Sequence, residues 1–264
     1  MITREKMRNH SGQGIGRRRL LVGMAQAAGL LFLTGCDNLS RSEWFTRLLG
    51  KTEIVTQRAQ RLISPKKAMA KEFIEADLSP VFPPNGNRDP ENPDYQRMAN
   101  NGFADWKLEV GGVVQQPMTF SLVELRDLPS RTQITRHDCV EGWSAIGKWK
   151  GAPLGQILER VQPLPSARYV VFHCADPDED GTLYYESLDF DDAFHPQTIL
   201  AYEMNDQALP TAHGAPIRLR VERQLGYKHA KYVMRIEVVE SFTSIGGGKG
   251  GYWEDQGYEW YAGI

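Results

Sequence analysis

Cys139 lies in the run Thr135-Arg-His-Asp-Cys-Val-Glu-Gly-Trp-Ser144, a polar and aromatic setting. A thiol there serves better as a soft metal ligand or a nucleophile than as packing. Just ahead of it, His137 and Asp138 are suited to donate and accept protons, and Arg136 with His137 to bind an anionic or dipolar substrate. The competing assignment makes His137 a strand residue hydrogen-bonded to backbone. A second cluster gathers Arg218, Arg220, Arg223, Lys228, Lys231 and Arg235, six of the 17 Lys and Arg residues that follow residue 71. Such a cluster suits a phosphate held by charge-assisted hydrogen bonds, or else a solvated strand face balanced by Glu222 and Glu237. Cys139 and Cys174 also form a candidate disulfide in an oxidising compartment, which would exclude metal ligation by Cys139. The chain carries no C-x-x-C, H-E-x-x-H or C-x-x-C-H motif, which argues against zinc and c-type haem.

The elements that must position these groups are mostly strands. Trp106, Leu108 and Val110 alternate with Lys107 and Glu109 before Gly111-Gly112, the pattern of a hairpin. Ser121 with Glu124 forms a capping box for a short helix through Leu128, and Pro153 opens a second with Leu154, Ile157, Leu158 and Val161 on one face. Strands are predicted at Tyr169–His173, Leu183–Glu186, Ile199–Met204, Ile217–Val221 and Tyr232–Val239. Tyr184, Tyr185 and the six tryptophans are assigned to the core. The fold class is therefore α+β, a strand-rich domain over residues 81–264. Neither a regular βαβ alternation nor a nucleotide-binding glycine motif is present.

The N-terminal part predicts export. Gly16-Arg-Arg-Arg-Leu-Leu21, a weakly apolar run and Leu33-Thr-Gly-Cys36 describe a twin-arginine signal peptide over residues 1–35 ending in a lipobox, with Cys36 as the acylated residue. The twin-arginine route carries folded proteins, which suits a cofactor inserted before export to the periplasm or another extracytoplasmic site. Residues 37–71 hold eight Lys/Arg against three acids, net +5, whereas residues 72–264 are net −12. The basic spacer, residues 36–80 by our boundary, reads as a helix lying on an anionic membrane beside the lipid anchor, or as one packed on the domain. An acidic domain argues against nucleic acid as a partner.

Several segments carry a family resemblance: Cys139-Val-Glu-Gly-Trp-Ser144, Trp149-Lys-Gly-Ala-Pro-Leu154, Phe194-His-Pro-Gln-Thr198, Leu200-Ala-Tyr202, His213-Gly-Ala-Pro-Ile-Arg-Leu219, Gly226-Tyr-Lys-His-Ala-Lys231 and Gly251-Tyr-Trp-Glu254. In order, from about Phe82 to the C-terminus, they resemble the molybdopterin-binding domain of the sulfite oxidase family. The resemblance implies a molybdenum-molybdopterin cofactor, with Cys139 as the thiolate on molybdenum and the disulfide thereby excluded. It implies further that Arg218 and Lys231 grip the cofactor phosphate, His229 and Ala230 supply neighbouring backbone, and Asn85 contacts the pterin. Cys174 and His213 stand where sulfoxide-reducing members carry a threonine and an asparagine; both are expected beside the cofactor. The implied activity is two-electron oxygen-atom transfer, with sulfoxide reduction favoured. Sulfite oxidation is the alternative, and a non-catalytic cofactor-binding lipoprotein the third reading. Electrons would pass through a separate partner, a membrane haem protein or a cytochrome.

Overall fold

The structure, a computed structural model, describes Ser42 and residues 52–63 and 67–264. The export signal expected over residues 1–35, Cys36 and the apolar-basic run from Trp44 to Leu49 lie outside these residues. A compact unit runs from Val55 to Ile264.

Among the described residues there are ten strands and six α-helices: β1 (Lys107–Gly112), β2 (Met118–Ser121), β3 (Arg131–Asp138), β4 (Ser144–Pro153), β5 (Tyr169–Pro177), β6 (Leu183–Asp189), β7 (Ile199–Met204), β8 (Gln207–Ala208), β9 (Arg218–Arg220) and β10 (Val233–Val239), with α1 (Thr52–Ile63), α2 (Pro93–Asn100), α3 (Leu122–Asp127), α4 (Leu154–Val161), α5 (Phe190–Ala193) and α6 (Tyr252–Asp255). One sheet has the order β2-β1-β10-β5-β6; the other runs β3-β4-β7-β8, with β9 on β7. The β1–β10 pair is parallel and its sheet neighbours are antiparallel, so the expected mixed, strand-rich α+β fold is what forms.

Local chemistry explains most of these elements. In β1, Leu108 and Val110 are buried while Lys107 and Glu109 face out, the alternation a half-buried strand requires. Gly112 ends it at φ +90, where a Cβ would sit 2.2 Å from the Val238 carbonyl oxygen, so only glycine permits the close β1–β10 pairing. The capping box forms as expected: Glu124 N–H donates to Ser121 Oγ at 3.2 Å and Ser121 N–H to Glu124 Oε2 at 2.7 Å. In α4 the four expected apolar residues are fully buried in the main core with Leu108, Phe172 and Ile236.

Two long strands go beyond the sequence expectations. β3 and β4 pair antiparallel from Arg131↔Gly151 to Asp138↔Ser144, and Cys139 opens the turn between them. The residues of β3 that point inward are polar, namely Gln133, Thr135 and His137, so no apolar alternation betrays the strand. The described part of the basic spacer packs on the acidic domain: Arg61 pairs with Asp189 and reaches Asp192 at 3.6 Å, Ala70 N–H donates to Gln197 Oε1 at 2.7 Å, and Phe73 N–H donates to the Ile134 carbonyl at 2.8 Å. Opposite net charges on the two segments favour this packing.

Candidate active site

Cys139 lines a cavity of about 280 Å³ that it shares with Asn85, Asp176, His229 and Lys231. Backbone bonds shape its turn: Cys139 N–H donates to Trp143 O at 2.9 Å and Gly142 N–H to Cys139 O at 3.0 Å. Gly142 closes the turn at φ +88. The thiol is buried, and burial pushes its pKa up, with the Glu141 carboxylate adding to the rise. Cys139 and Cys174 are both free thiols. Cys174 lies on β5 within the main core, with Sγ 4.0 Å from the Phe172 carbonyl; it does not line the cavity.

The basic cluster divides into two kinds of cation. Arg220 pairs with Glu222 at 2.6 Å, Lys228 with Glu186 and Glu254, Arg235 with Glu237 at 2.9 Å, and Arg223 approaches Asp192 at 4.0 Å. The balancing role foreseen for Glu222 and Glu237 is thus real for two of the six. Arg218 and Lys231 have no carboxylate at ion-pair distance among the described residues. Arg218 donates to the carbonyls of His213 at 3.1 Å and His229 at 3.3 Å, lies 5.1 Å over the Trp149 ring, and leaves its Nε without a partner. Lys231 donates to the carbonyls of Asn85 at 2.7 Å, Ala212 at 3.2 Å and Asn87. Burial, reinforced by Arg220, pulls Arg218 down to about 9; burial and Arg218 pull Lys231 down to about 7. Asp176 and Glu222 act on these two buried cations only from beyond ion-pair distance, and a buried cation without a paired anion is costly.

The remaining predicted residues take distinct places. His229 lines the cavity; its Nε2 lies 3.0 Å from the Gln224 carbonyl and its Nδ1 has no partner. Ala230 is buried, and its carbonyl accepts from Leu219 N–H at 2.8 Å. His137 is packed edge-on against His229 behind the cavity, ring centroids 5.0 Å apart. Arg220 donates to its Nδ1 at 3.0 Å, which leaves the imidazole proton on Nε2, and burial holds the ring neutral. Arg136, one position earlier on β3, points away from the cavity to Asp138 at 2.9 Å. His213 ends a 3-10 turn over Thr211–His213, its ring edge-on to Phe82.

Sequence reasoning missed Asp176 and the aromatic residues of the cavity wall. Asp176 lies near the end of β5 with Oδ1 unpartnered, and burial raises its pKa to about 7 despite Lys231. Tyr184, expected in the core, lines the cavity with Tyr252, Trp253 and Tyr258, whereas Tyr185 does pack in a satellite core. The only hint of this wall in the sequence is the Gly251-Tyr-Trp-Glu254 motif.

One titration follows from this geometry. Burial first, then Arg218 and Lys231, depress His213 to about 4. As pH falls from 6.5 towards 4 the unfolded chain gains this proton before the folded one does, so the contribution of His213 to stability is present above that window and lost through it. In the cofactor-free protein, imidazole NMR should find His213 neutral at about pH 5.5; a midpoint above about 6 would contradict the burial and cationic neighbours described here.

Comparison with known proteins identifies a family. The family signature described as the oxidoreductase molybdopterin-binding domain matches residues 95–244. YedZ1 of Azospira oryzae, whose name gives it provisionally as a protein-methionine-sulfoxide reductase subunit, is 37% identical over 247 residues, covering 94% of this chain and 87% of that protein. The protein-methionine-sulfoxide reductase catalytic subunit MsrP of Xanthomonas axonopodis is 39% identical over 148 residues, 52% of this chain and 46% of that one. A crystal structure of the sulfane dehydrogenase SoxCD from Paracoccus pantotrophus aligns with TM-score 0.47 and 22% identity over 52% of this chain and 39% of that chain. The signature covers more than half of the chain, and the Azospira relative matches nearly all of it; the chain is an oxidoreductase of the molybdopterin-binding family.

Proposed function

We propose that this oxidoreductase holds a molybdenum-molybdopterin cofactor in the Cys139 cavity and reduces sulfoxides of the methionine type. The observation that carries the reading is that Cys139 shares its cavity with Lys231, backed by Arg218, two buried cations with no carboxylate at ion-pair distance among the described residues. Unsatisfied Arg218 Nε and His229 Nδ1 fit a phosphate-bearing group, and the one thiol among the cavity-lining residues fits a soft metal. Lys231 and Arg218 would bind the phosphate, Asn85 and His229 would border the pterin, and Cys139 would supply the protein ligand. When bound, the cofactor supplies a metal that exchanges one oxygen atom while cycling between two oxidation states.

The sulfoxide assignment draws on the names of the Azospira and Xanthomonas relatives. Each turnover consumes a pair of electrons and a pair of protons: the sulfur–oxygen bond breaks, the oxygen leaves as water, and the sulfur is left as a thioether. Asp176, which burial keeps protonated close to neutral pH, is placed in the cavity wall to hold one of those protons. Arg220 orients the neutral His137 ring behind His229. We further propose that the chain is exported through the twin-arginine sequence Arg17-Arg18, anchored by acylated Cys36, and supplied with electrons by a separate haem protein or cytochrome.

The test is the metal and pterin content of exported protein, followed by turnover with a reduced viologen as electron donor. We expect about one molybdenum per chain and reduction of methionine sulfoxide. Folded, exported protein without molybdenum, or a loaded enzyme that oxidises sulfite and leaves sulfoxides untouched, would overturn the reading.

A further inference from the structure

The C-terminal segment reaches the Cys139 cavity as a wall of aromatic rings. Its helix α6 is oriented by one inward residue: Glu254, fully buried, accepts from Lys228 Nζ at 2.6 Å, and Lys228 also pairs with buried Glu186. With Glu254 turned in, its predecessors turn towards the cavity. Tyr252 donates its hydroxyl to Asp178 Oδ2 at 2.8 Å, which ties the helix to the loop after β5. From there the rings follow one another. Tyr252 meets Trp253 edge-on at 5.3 Å, and Trp253 stacks on Tyr258 at 5.2 Å with planes 27° apart. Tyr258 in turn meets Tyr227 edge-on at 5.2 Å. All four rings line the same cavity as Cys139.

Trp253 and Tyr258 are the outer members, 38% and 41% exposed, beside Val140, which is 45% exposed and adjoins Cys139. The acidic side chains of the lining include Glu141, two residues from Cys139, and Asp178, which holds Tyr252. The one lysine of the lining, Lys231, is engaged by the Asn85, Asn87 and Ala212 carbonyls. With Lys231 and Arg218 assigned to the cofactor phosphate, a small inorganic anion entering beside the rings meets aromatic faces and the carboxylates of Glu141 and Asp178. A neutral thioether or sulfoxide meets polarizable rings at which sulfur is favourably placed.

We propose that Trp253 and Tyr258 are the substrate-contacting platform of this site, selecting a neutral sulfoxide on a flexible apolar side chain over anions such as sulfite. This rests on the sulfoxide-reductase reading above and adds the residues that confer the preference. The platform has a physical requirement, a ring at each position, and no requirement for charge at either.

The test uses molybdenum-loaded full-length protein with reduced viologen as donor and a methionine-sulfoxide peptide as substrate, and, in a separate assay, sulfite with ferricyanide as electron acceptor. Trp253→Ala and Tyr258→Ala are each expected to raise KM for the peptide roughly three- to tenfold, with kcat and molybdenum per chain within about twofold of the parent. Trp253→Phe, which keeps a ring, should recover most of the loss. Because Tyr258 lies outside α6, its variant keeps the proposal testable if Trp253→Ala perturbs the helix. Parent enzyme active on the peptide, with KM unmoved in both alanine variants, overturns the platform while leaving the reductase reading intact. Parent enzyme that is loaded and turns over sulfite in preference to the peptide overturns both.

Discussion

Cys139→Ser should yield a folded protein that has lost its redox activity. The turn that presents residue 139 is held by backbone bonds, Cys139 N–H to Trp143 O and Gly142 N–H to Cys139 O, and neither depends on the thiol. Serine therefore keeps the hairpin of β3 and β4 but replaces a soft sulfur donor with a hard hydroxyl. Loss of a partner in the outer shell of a metal site already costs roughly 10–100-fold, so loss of the protein ligand itself is expected to lower turnover by at least about 100-fold. Elemental analysis, pterin fluorescence and viologen-coupled turnover on the same preparation separate the outcomes. A thermal midpoint near the parent value with metal or turnover lost supports ligation by Cys139; unchanged molybdenum and unchanged turnover would remove Cys139 from the site.

Lys228→Met is expected to be the most damaging substitution for stability, although Lys228 touches no solvent. The lysine lies between Glu186 and Glu254, all three side chains at most 1% exposed, and each glutamate already leaves one oxygen unpartnered. Methionine fills a similar volume but strands two buried carboxylates, an arrangement that costs about 3–5 kcal/mol when one partner of a buried pair is removed. The cost should depend on pH with a definite sign. Burial already raises Glu186 well above its usual 4.5 against the pull of Lys228, and without the lysine it must rise further. A carboxyl with a raised folded-state pKa contributes stability below its unfolded value and loses it as pH increases. Urea unfolding should therefore find the variant closer to the parent at about pH 5 than at about pH 8. A difference below about 1 kcal/mol at about pH 8 would contradict the triad as drawn. Since Glu254 also aims Tyr252 and Trp253 at the cavity, the same variant should loosen the aromatic wall.

Much of the fold was legible along the chain. The alternation in β1, the apolar face of α4, the Ser121–Glu124 box and the strands β5, β6, β7, β9 and β10 all show as patterns spanning a few residues, and pattern and outcome coincide there. Strand β3 escaped because its inward side chains are polar. They are acceptable in the interior only because of distant partners: Gln133 donates to Glu222 Oε1 at 2.9 Å, and His137 accepts from Arg220 at 3.0 Å. A strand whose buried face is satisfied by residues more than 80 positions away carries no local signature.

The candidate site divides in the same way. By itself the sequence determined that a lone thiol precedes an aromatic turn, that six cations crowd between residues 218 and 235, and that the order of motifs is that of a molybdopterin-binding oxidoreductase. Residue identity and spacing suffice for that. Only the tertiary structure decided which of those cations are neutralised. Arg220, Lys228 and Arg235 find carboxylates, Lys228 by reaching across to Glu186 and Glu254, while Arg218 and Lys231 face carbonyl oxygens. Likewise only the folded chain turns His137 away behind His229 and brings Trp253 to the cavity that holds Cys139. Charge compensation and cavity walls depend on through-space distances of a few ångströms between segments far apart in sequence, and no linear pattern encodes those distances.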